Sequence, residues 1–329
     1  MATLTVSLAG VAYDRTRALF DGTVRIEGCE IIPLAMSPEE AFHRAFRFQE
    51  FDITELSLSS YMNRLGRGDS HYVAIPVFPS RLFRHSSIYV RDDRGIERPQ
   101  DLRGRTIGVP EYQMTAAVWI RGILLDEYGV APADLQWRTG GLEEAGREEK
   151  SPLSLPGGVE VIPIPAAETL SRQLDLGQLD GIISALAPSC FERNPRVRRL
   201  FPDYRREEEA YFRRTRIFPI MHVIGIRRRL IEQHPWLAVN TYIAYLRAKQ
   251  LCYANLAKIG HLYTTLPWPV EEFQSARALM GDDFWSYGVE RNQHELEAIT
   301  RYAHDQGLTP RLLSSEDLFV PSTLSLAKV

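Results

Sequence analysis

The chain has 329 residues, 44% of them apolar and 25% charged. That composition excludes a disordered, fibrous or membrane-embedded chain and leaves room for two domains at roughly 150 residues each. Its 39 basic and 42 acidic residues give a net charge of -3, which argues against a nucleic-acid binder with its basic excess, while the dominance of arginine over lysine suits an anionic small ligand.

Leu4 to Ala9 alternate polar and apolar side chains and predict a first strand, ending in the loop Gly10 to Arg15. No basic leader precedes it, so the protein is expected to stay in the cytoplasm. A second strand is predicted over Val24 to Pro33. Ser37-Pro38-Glu39-Glu40 then supplies an N-cap, a first-turn proline and acidic residues, opening a helix to about Gln49. Short strands follow at Phe51 to Leu56, Val73 to Phe78 and Ser87 to Val90. The pattern restarts with a strand at Thr106 to Val109 and a helix from about Ala116 to Tyr128, the unit that aims backbone N–H groups and a positive dipole end at a ligand. Thr139 to Gly158 reads as an exposed loop or flap. Beyond it come a strand at Val159 to Ile164, a helix at about Glu168 to Leu176, a strand at Leu179 to Ala185 and a returning strand at Ile217 to Ile226. From Pro235 onward the chain reads as mostly helical.

Several chemistries fail on spacing. His294-Glu295-Leu296-Glu297-Ala298 lacks the second histidine of a zinc-protease helix, and no dinucleotide fingerprint, phosphate-binding loop or nucleophile elbow is present. Cys29, Cys190 and Cys252 are scattered singly, which gives no disulfide framework and fits a reducing compartment. No apolar run reaches the roughly 18 residues of a membrane span. The elements describe an α/β chain of two lobes, 1–86 with 218–329 and 87–217, joined by two crossovers, with a ligand cleft between them.

This plan resembles the periplasmic-binding-protein type II fold, on Asp101-Leu102-Arg103-Gly104-Arg105-Thr106-Ile107-Gly108-Val109 and on Leu174 to Ile183. A narrower resemblance rests on Tyr13 to Leu19, Glu55 to Tyr61, Ile75 to Arg81, Phe83 to Ser86 and Gly108 to Ala116, which are similar to the motifs of 4,5-dihydroxyphthalate decarboxylases. The similarity runs over almost the whole chain. It implies a cofactor-independent loss of carbon dioxide from a dihydroxylated aromatic dicarboxylate, giving 3,4-dihydroxybenzoate in phthalate degradation, with no metal, no nucleic acid or membrane partner, and a homo-oligomeric assembly. Direct expulsion of the carboxylate would leave an aryl carbanion. The feasible route protonates the ring carbon first, helped by the hydroxyl para to the departing group, so the site needs an acid and an anion clamp that grips the spectator carboxylate.

Arg15 follows the first strand, where loops of this fold meet ligand; Arg17, at a helix start, is expected to be solvated or to pair locally. Arg81, Arg84 and His85 sit at the first crossover, and strand alternation would send Arg84 and His85 to opposite faces, so at most two reach one ligand. Arg81 is expected to clamp a carboxylate and His85 to donate the proton or hydrogen-bond the substrate. Ser59 and Ser60 either bind a carboxylate or catechol oxygen or cap a helix. Tyr112, Gln113 and Thr115 open the second-lobe helix and offer N–H donors, with Glu111 beside them as a base. His222, between Met221 and Val223 on the second crossover, is either a satisfied core histidine or a catalytic group under the cleft. Glu290 and Asn292, in the segment Trp285 to Asn292, either face the cleft or cap structure. A solute-binding module shares the fold but is expected to carry an export leader, and a thiamine-pyrimidine precursor synthase would call for a histidine- or cysteine-rich iron-binding run that the chain lacks; function belongs to the site.

Overall fold

A computed structural model describes residues 3–149 and 153–326; the middle of the loop expected at 139–158 lies outside the described residues. The chain divides into two compact units. One takes the chain up to Arg81, Ile220–Leu296 and the stretch from Ser314; the other takes Leu82–Pro219 and Glu297–Leu313.

The first unit opens with β1 (Leu4–Gly10), β2 (Cys29–Ala35), β3 (Ile53–Ser57) and β4 (Tyr72–Ile75). The second holds β5 (Ile88–Arg91), β6 (Thr106–Val109), β7 (Gln136–Thr139), β8 (Val161–Pro163), β9 (Gly181–Ile183) and β10 (Val197–Arg199). The chain then returns to the first unit as β11 (His222–Arg227). The first sheet runs β2-β1-β3-β11-β4 and the second β10-β5-β9-β6-β7-β8.

In the first sheet β2 and β3 flank β1 in parallel, and β11 lies antiparallel to both β3 and β4. Connections therefore leave the carboxyl ends of β1 and β3 on either side of a switch point, the place where open α/β sheets carry ligands. Because β11 runs the other way, its first residue His222 pairs with Ser57, the last residue of β3. The sequence predicts this strand to begin near Ile217. It begins only at His222, since Pro219 has no N–H to give a ladder, and the shift moves His222 from mid-strand to the strand's entry.

Local signals fix the helices as read. Ser37 accepts from the Glu40 N–H and opens helix Pro38–Phe48, whose Ala41, Phe42 and Ala45 are buried. Other expectations shift. Residues before Cys29 are turns rather than strand, and His85–Ser87 is a tight 3-10 turn instead of a crossover strand, so strand alternation does not govern Arg84 and His85. The charged stretch Tyr204–Thr215, not anticipated as regular structure, is a helix that buries Tyr211 and Phe212.

Glu297–Leu313 packs in the second unit, where the sequence reading placed it in the first. The reason is steric and polar. Gly122 in helix Thr115–Tyr128 leaves the space that the Tyr302 ring fills; a Cβ there would come within 2.3 Å of that ring. Trp119 meets the same ring edge-on at 5.6 Å, and the Tyr302 hydroxyl donates to Asp126 at 2.6 Å.

His85 lies in this unit's interior, 2% exposed, against the rings of Phe201 and Tyr211 at 5.2 and 5.3 Å. Neither ring nitrogen has a hydrogen-bond partner among the described residues. Burial, and secondarily the Arg214 charge, pull its pKa down to about 4. Above pH 6.5 the imidazole is neutral in folded and unfolded chains alike; between about 6.5 and 4 only the unfolded chain binds the proton, so stability falls as pH falls.

Two outcomes are expected. Gly122→Ala destabilises by about 1–3 kcal/mol through overpacking against Tyr302, read by chemical denaturation at pH 7. His85→Leu loses less stability than the parent chain between pH 6.5 and 4, measured by the same denaturation across that range; parallel losses would contradict a buried neutral imidazole.

Candidate active site

At the carboxyl edge of the first sheet, Glu55 of β3 is a carboxylate 1% exposed. A buried charge is costly unless it is bonded on all sides, and Glu55 is. Its Oε2 accepts the Val11 N–H at 3.1 Å, and its Oε1 accepts the Tyr13 hydroxyl at 3.0 Å. His222 Nδ1 stands 2.6 Å from the same Oε1. Gly10 ends β1 where a side chain would crowd the carboxylate, since a Cβ would come within 3.1 Å of Glu55 Cβ and Oε2. Tyr13 keeps its proton, because burial first and the Glu55 charge second push its pKa well above the ordinary phenol value. A carboxylate only accepts, so Nδ1 of His222 carries the hydrogen and Nε2 is the nitrogen left to exchange one with a substrate. Phe42 packs edge-on against the imidazole at 4.8 Å.

Arg15 continues this constellation. Its guanidinium lies 4.1 Å above the Tyr13 ring and 3.9 Å from the Trp285 ring, held between two aromatic faces. Nε donates to the Pro79 carbonyl at 2.7 Å and Nη1 to Asp14 at 3.1 Å. The neighbouring carbonyls serve the same edge: Ser80 accepts the N–H groups of Met221 and His222 at 2.9 and 3.2 Å, and Phe78 accepts Trp285 Nε1 at 2.8 Å. Ser59 and Ser60 are buried in the first turn of helix Leu58–Gly66, directly after Ser57, and the leading N–H of that helix goes to the Met221 carbonyl at 3.1 Å. They occupy helical positions instead of the cap.

Arg81, expected as the clamp, is enclosed rather than open to a ligand. Its side chain is fully enclosed and donates to Asn292, to the Ser286 carbonyl at 2.8 Å and to Glu295 at 3.4 Å. It secures the segment that carries Trp285. Lys249 does the same from another direction, pairing with Asp283 and donating to the Trp285 carbonyl at 3.1 Å. Asn292 is therefore structural, and Glu290 is exposed on a short turn, outside the contacts that hold Glu55 and His222.

The remaining candidates belong to the second unit. His85, neutral and enclosed among aromatic rings, is unsuited to deliver a proton near neutral pH. Arg84 is 6% exposed, with its pKa lowered to about 10 by burial against the opposing charge of Glu208; Glu208 is itself raised by burial to about 7. Thr115 begins helix Thr115–Tyr128 and is buried. Just before it, the N–H groups of Tyr112 and Gln113 donate to Glu149, and Gln113 Nε2 adds a bond at 3.1 Å. Glu111 is paired with Arg147 at 2.6 Å, so its carboxylate is committed.

Sequence reading therefore named Arg15 and His222 but missed Glu55 and Tyr13. The available sign was a glutamate inside a strand otherwise built for burial, Ile53 to Ser57, which needs partners to be there at all. Among the described residues no cluster of three or more His, Cys, Asp or Glu is gathered as metal ligands, and no helix is long and apolar enough to cross a membrane.

Comparison with known proteins completes the description. Residues 25–152 match the family model for an ABC transporter, phosphonate, periplasmic substrate-binding protein. The periplasmic aliphatic sulphonate binding protein SsuA from Escherichia coli aligns over 96% of this chain and 97% of its own, with a TM-score of 0.55 and 12% identity; that likeness gives the fold, the periplasmic-binding-protein type II α/β fold. A 4,5-dihydroxyphthalate decarboxylase of Pseudomonas putida is 51% identical over 204 residues, 62% of this chain and 79% of the relative. The one from Comamonas testosteroni is 46% identical over 330 residues, covering 100% of both chains. Identity of that level over the full length leaves one conclusion: the chain belongs to the 4,5-dihydroxyphthalate decarboxylase family.

Proposed function

We propose that His222, oriented by Glu55 and Tyr13, is the acid of a non-oxidative aromatic decarboxylation, and that Arg15 holds the carboxylate that stays. The reaction is the conversion of 4,5-dihydroxyphthalate to 3,4-dihydroxybenzoate and carbon dioxide. The observation that carries the assignment of roles is the pairing of the buried Glu55 with the part-exposed His222 at 2.6 Å, adjoining an arginine between two aromatic rings.

The steps balance without an oxidant or reductant. The hydroxyl para to the departing carboxylate pushes electron density into the ring, and His222 Nε2 transfers a proton to the carbon bearing that carboxylate. The carbon–carbon bond then breaks, its electron pair restores the aromatic ring, and carbon dioxide leaves. Glu55 stabilises the protonated imidazole before transfer and fixes which nitrogen acts. The spectator carboxylate keeps its charge throughout, so a guanidinium on it strengthens binding and orientation more than turnover. Ser59 and Ser60, at the head of a helix beside β3, are the hydroxyls we assign to a catechol or carboxylate oxygen. The three unpaired cysteines suit a cytoplasmic setting, and a homo-oligomer is the assembly we assign.

Purified protein incubated with 4,5-dihydroxyphthalate, chelator and no added cofactor should release carbon dioxide and 3,4-dihydroxybenzoate one for one; binding without release would overturn the assignment. His222→Asn should lower kcat by about 10²–10⁴, the usual worth of a positioned acid, with circular dichroism unchanged. Glu55→Gln should cost about 10–100-fold and alter the acid limb of the pH profile. Arg15→Ala should act mainly on KM, at about 1.5–3 kcal/mol for a lost charged hydrogen bond; a kcat effect without a KM effect would remove it from the clamp role.

A further inference from the structure

The second unit contains a carboxylate-binding position that is already filled by the chain itself. The N–H groups of Tyr112 and Gln113 converge, together with Gln113 Nε2, on the Glu149 carboxylate, just ahead of the 14-residue helix Thr115–Tyr128. Aligned N–H groups and a helix head favour an anion there.

A second observation points the same way. Arg121 is 1% exposed, and the bonds of its guanidinium go to neutral acceptors, Gln306 Oε1 at 2.7 Å and the Tyr112 carbonyl at 2.6 Å. Its Nη1 and the Tyr112 hydroxyl are buried with no hydrogen-bond partner among the described residues. The guanidinium lies 3.6 Å from the centre of the Tyr112 ring. A buried cation with neutral partners needs a nearby anion, and Glu149 is the carboxylate whose charge it feels. Glu149 fits the place imperfectly: burial raises its pKa even against its N–H donors. One further tie holds its segment, the ion pair of Arg147 with Glu111 at 2.6 Å.

We propose that Glu149 is an internal stand-in for a ligand carboxylate, so that an aromatic carboxylate gains the Tyr112–Gln113 position only by displacing it, and that the Arg147–Glu111 pair sets how readily the Arg147–Glu149 strap lets go. This rests on the decarboxylase reading for the identity of the ligand but not for the contact itself. A strap closed about nine-tenths of the time weakens apparent affinity about tenfold.

The test uses full-length protein and phthalate, which lacks the hydroxyls that drive turnover. Isothermal titration should show Kd falling about five- to tenfold in Glu149→Gln and in Arg147→Ala. Arg147→Ala leaves the carboxylate position untouched and keeps the comparison readable if the other variant folds poorly. An unchanged or weaker Kd in both variants, or no phthalate binding by any of the three proteins, overturns the proposal. Phthalate binding that tightens as stated while the parent chain releases no carbon dioxide would sink the decarboxylase reading alone.

Discussion

The first unit is organised around one desolvated carboxylate. Glu55 sits inside a strand where water does not reach it, and the chain meets its demand with a backbone N–H, a phenol and an imidazole. Removing any one donor would strand charge in the interior, which is why the donors are fixed so firmly. The sheet order follows from the same need, because the loop after β1 and the start of β11 must both arrive at the end of β3. Gly10 permits the approach, and Pro219 delays β11 until His222 stands opposite Ser57.

A buried acceptor that orders its histidine also divides labour among the cations. Arg15 rests on aromatic faces with part of its side chain open to solvent, where it can meet a ligand. Arg81 and Lys249 have no such opening and spend their charge on Asn292, Glu295 and Asp283. The enclosed pair hold up Trp285, and Trp285 holds the flank of the open one. Guanidinium groups of one chemical type are thus left open or enclosed according to what surrounds them.

Much of this was legible in the residues. Helix Pro38–Phe48 announces itself through Ser37, Pro38 and the acids that follow; β6 and the helix after it read clearly, as did the prominence of Arg15 and His222. What could not be read depended on distant chain. Arg81, Arg84 and His85 lie close together in sequence and look like one cluster, yet Arg81 is claimed by residues more than two hundred positions away, and His85 by rings at 201 and 211. Glu55 was passed over because a single acid in a strand gives no local pattern; its importance appears only when Tyr13 and His222 come alongside. Glu149 lay in a stretch without periodicity, where composition says loop and nothing more.

The discontinuity of both units bears on how the protein can be made. In the first sheet β4 is not joined to β3 until β11 slots between them, and the second unit lacks the ring that fills the hollow at Gly122 until Tyr302 has been synthesised. A ribosome releasing this polypeptide from its amino end therefore presents the edges of β3 and β4 unpaired until Arg227 has emerged. Such edges are the surfaces on which nascent chains stick to one another, so the cell's holding chaperones have a long interval in which to matter for this protein.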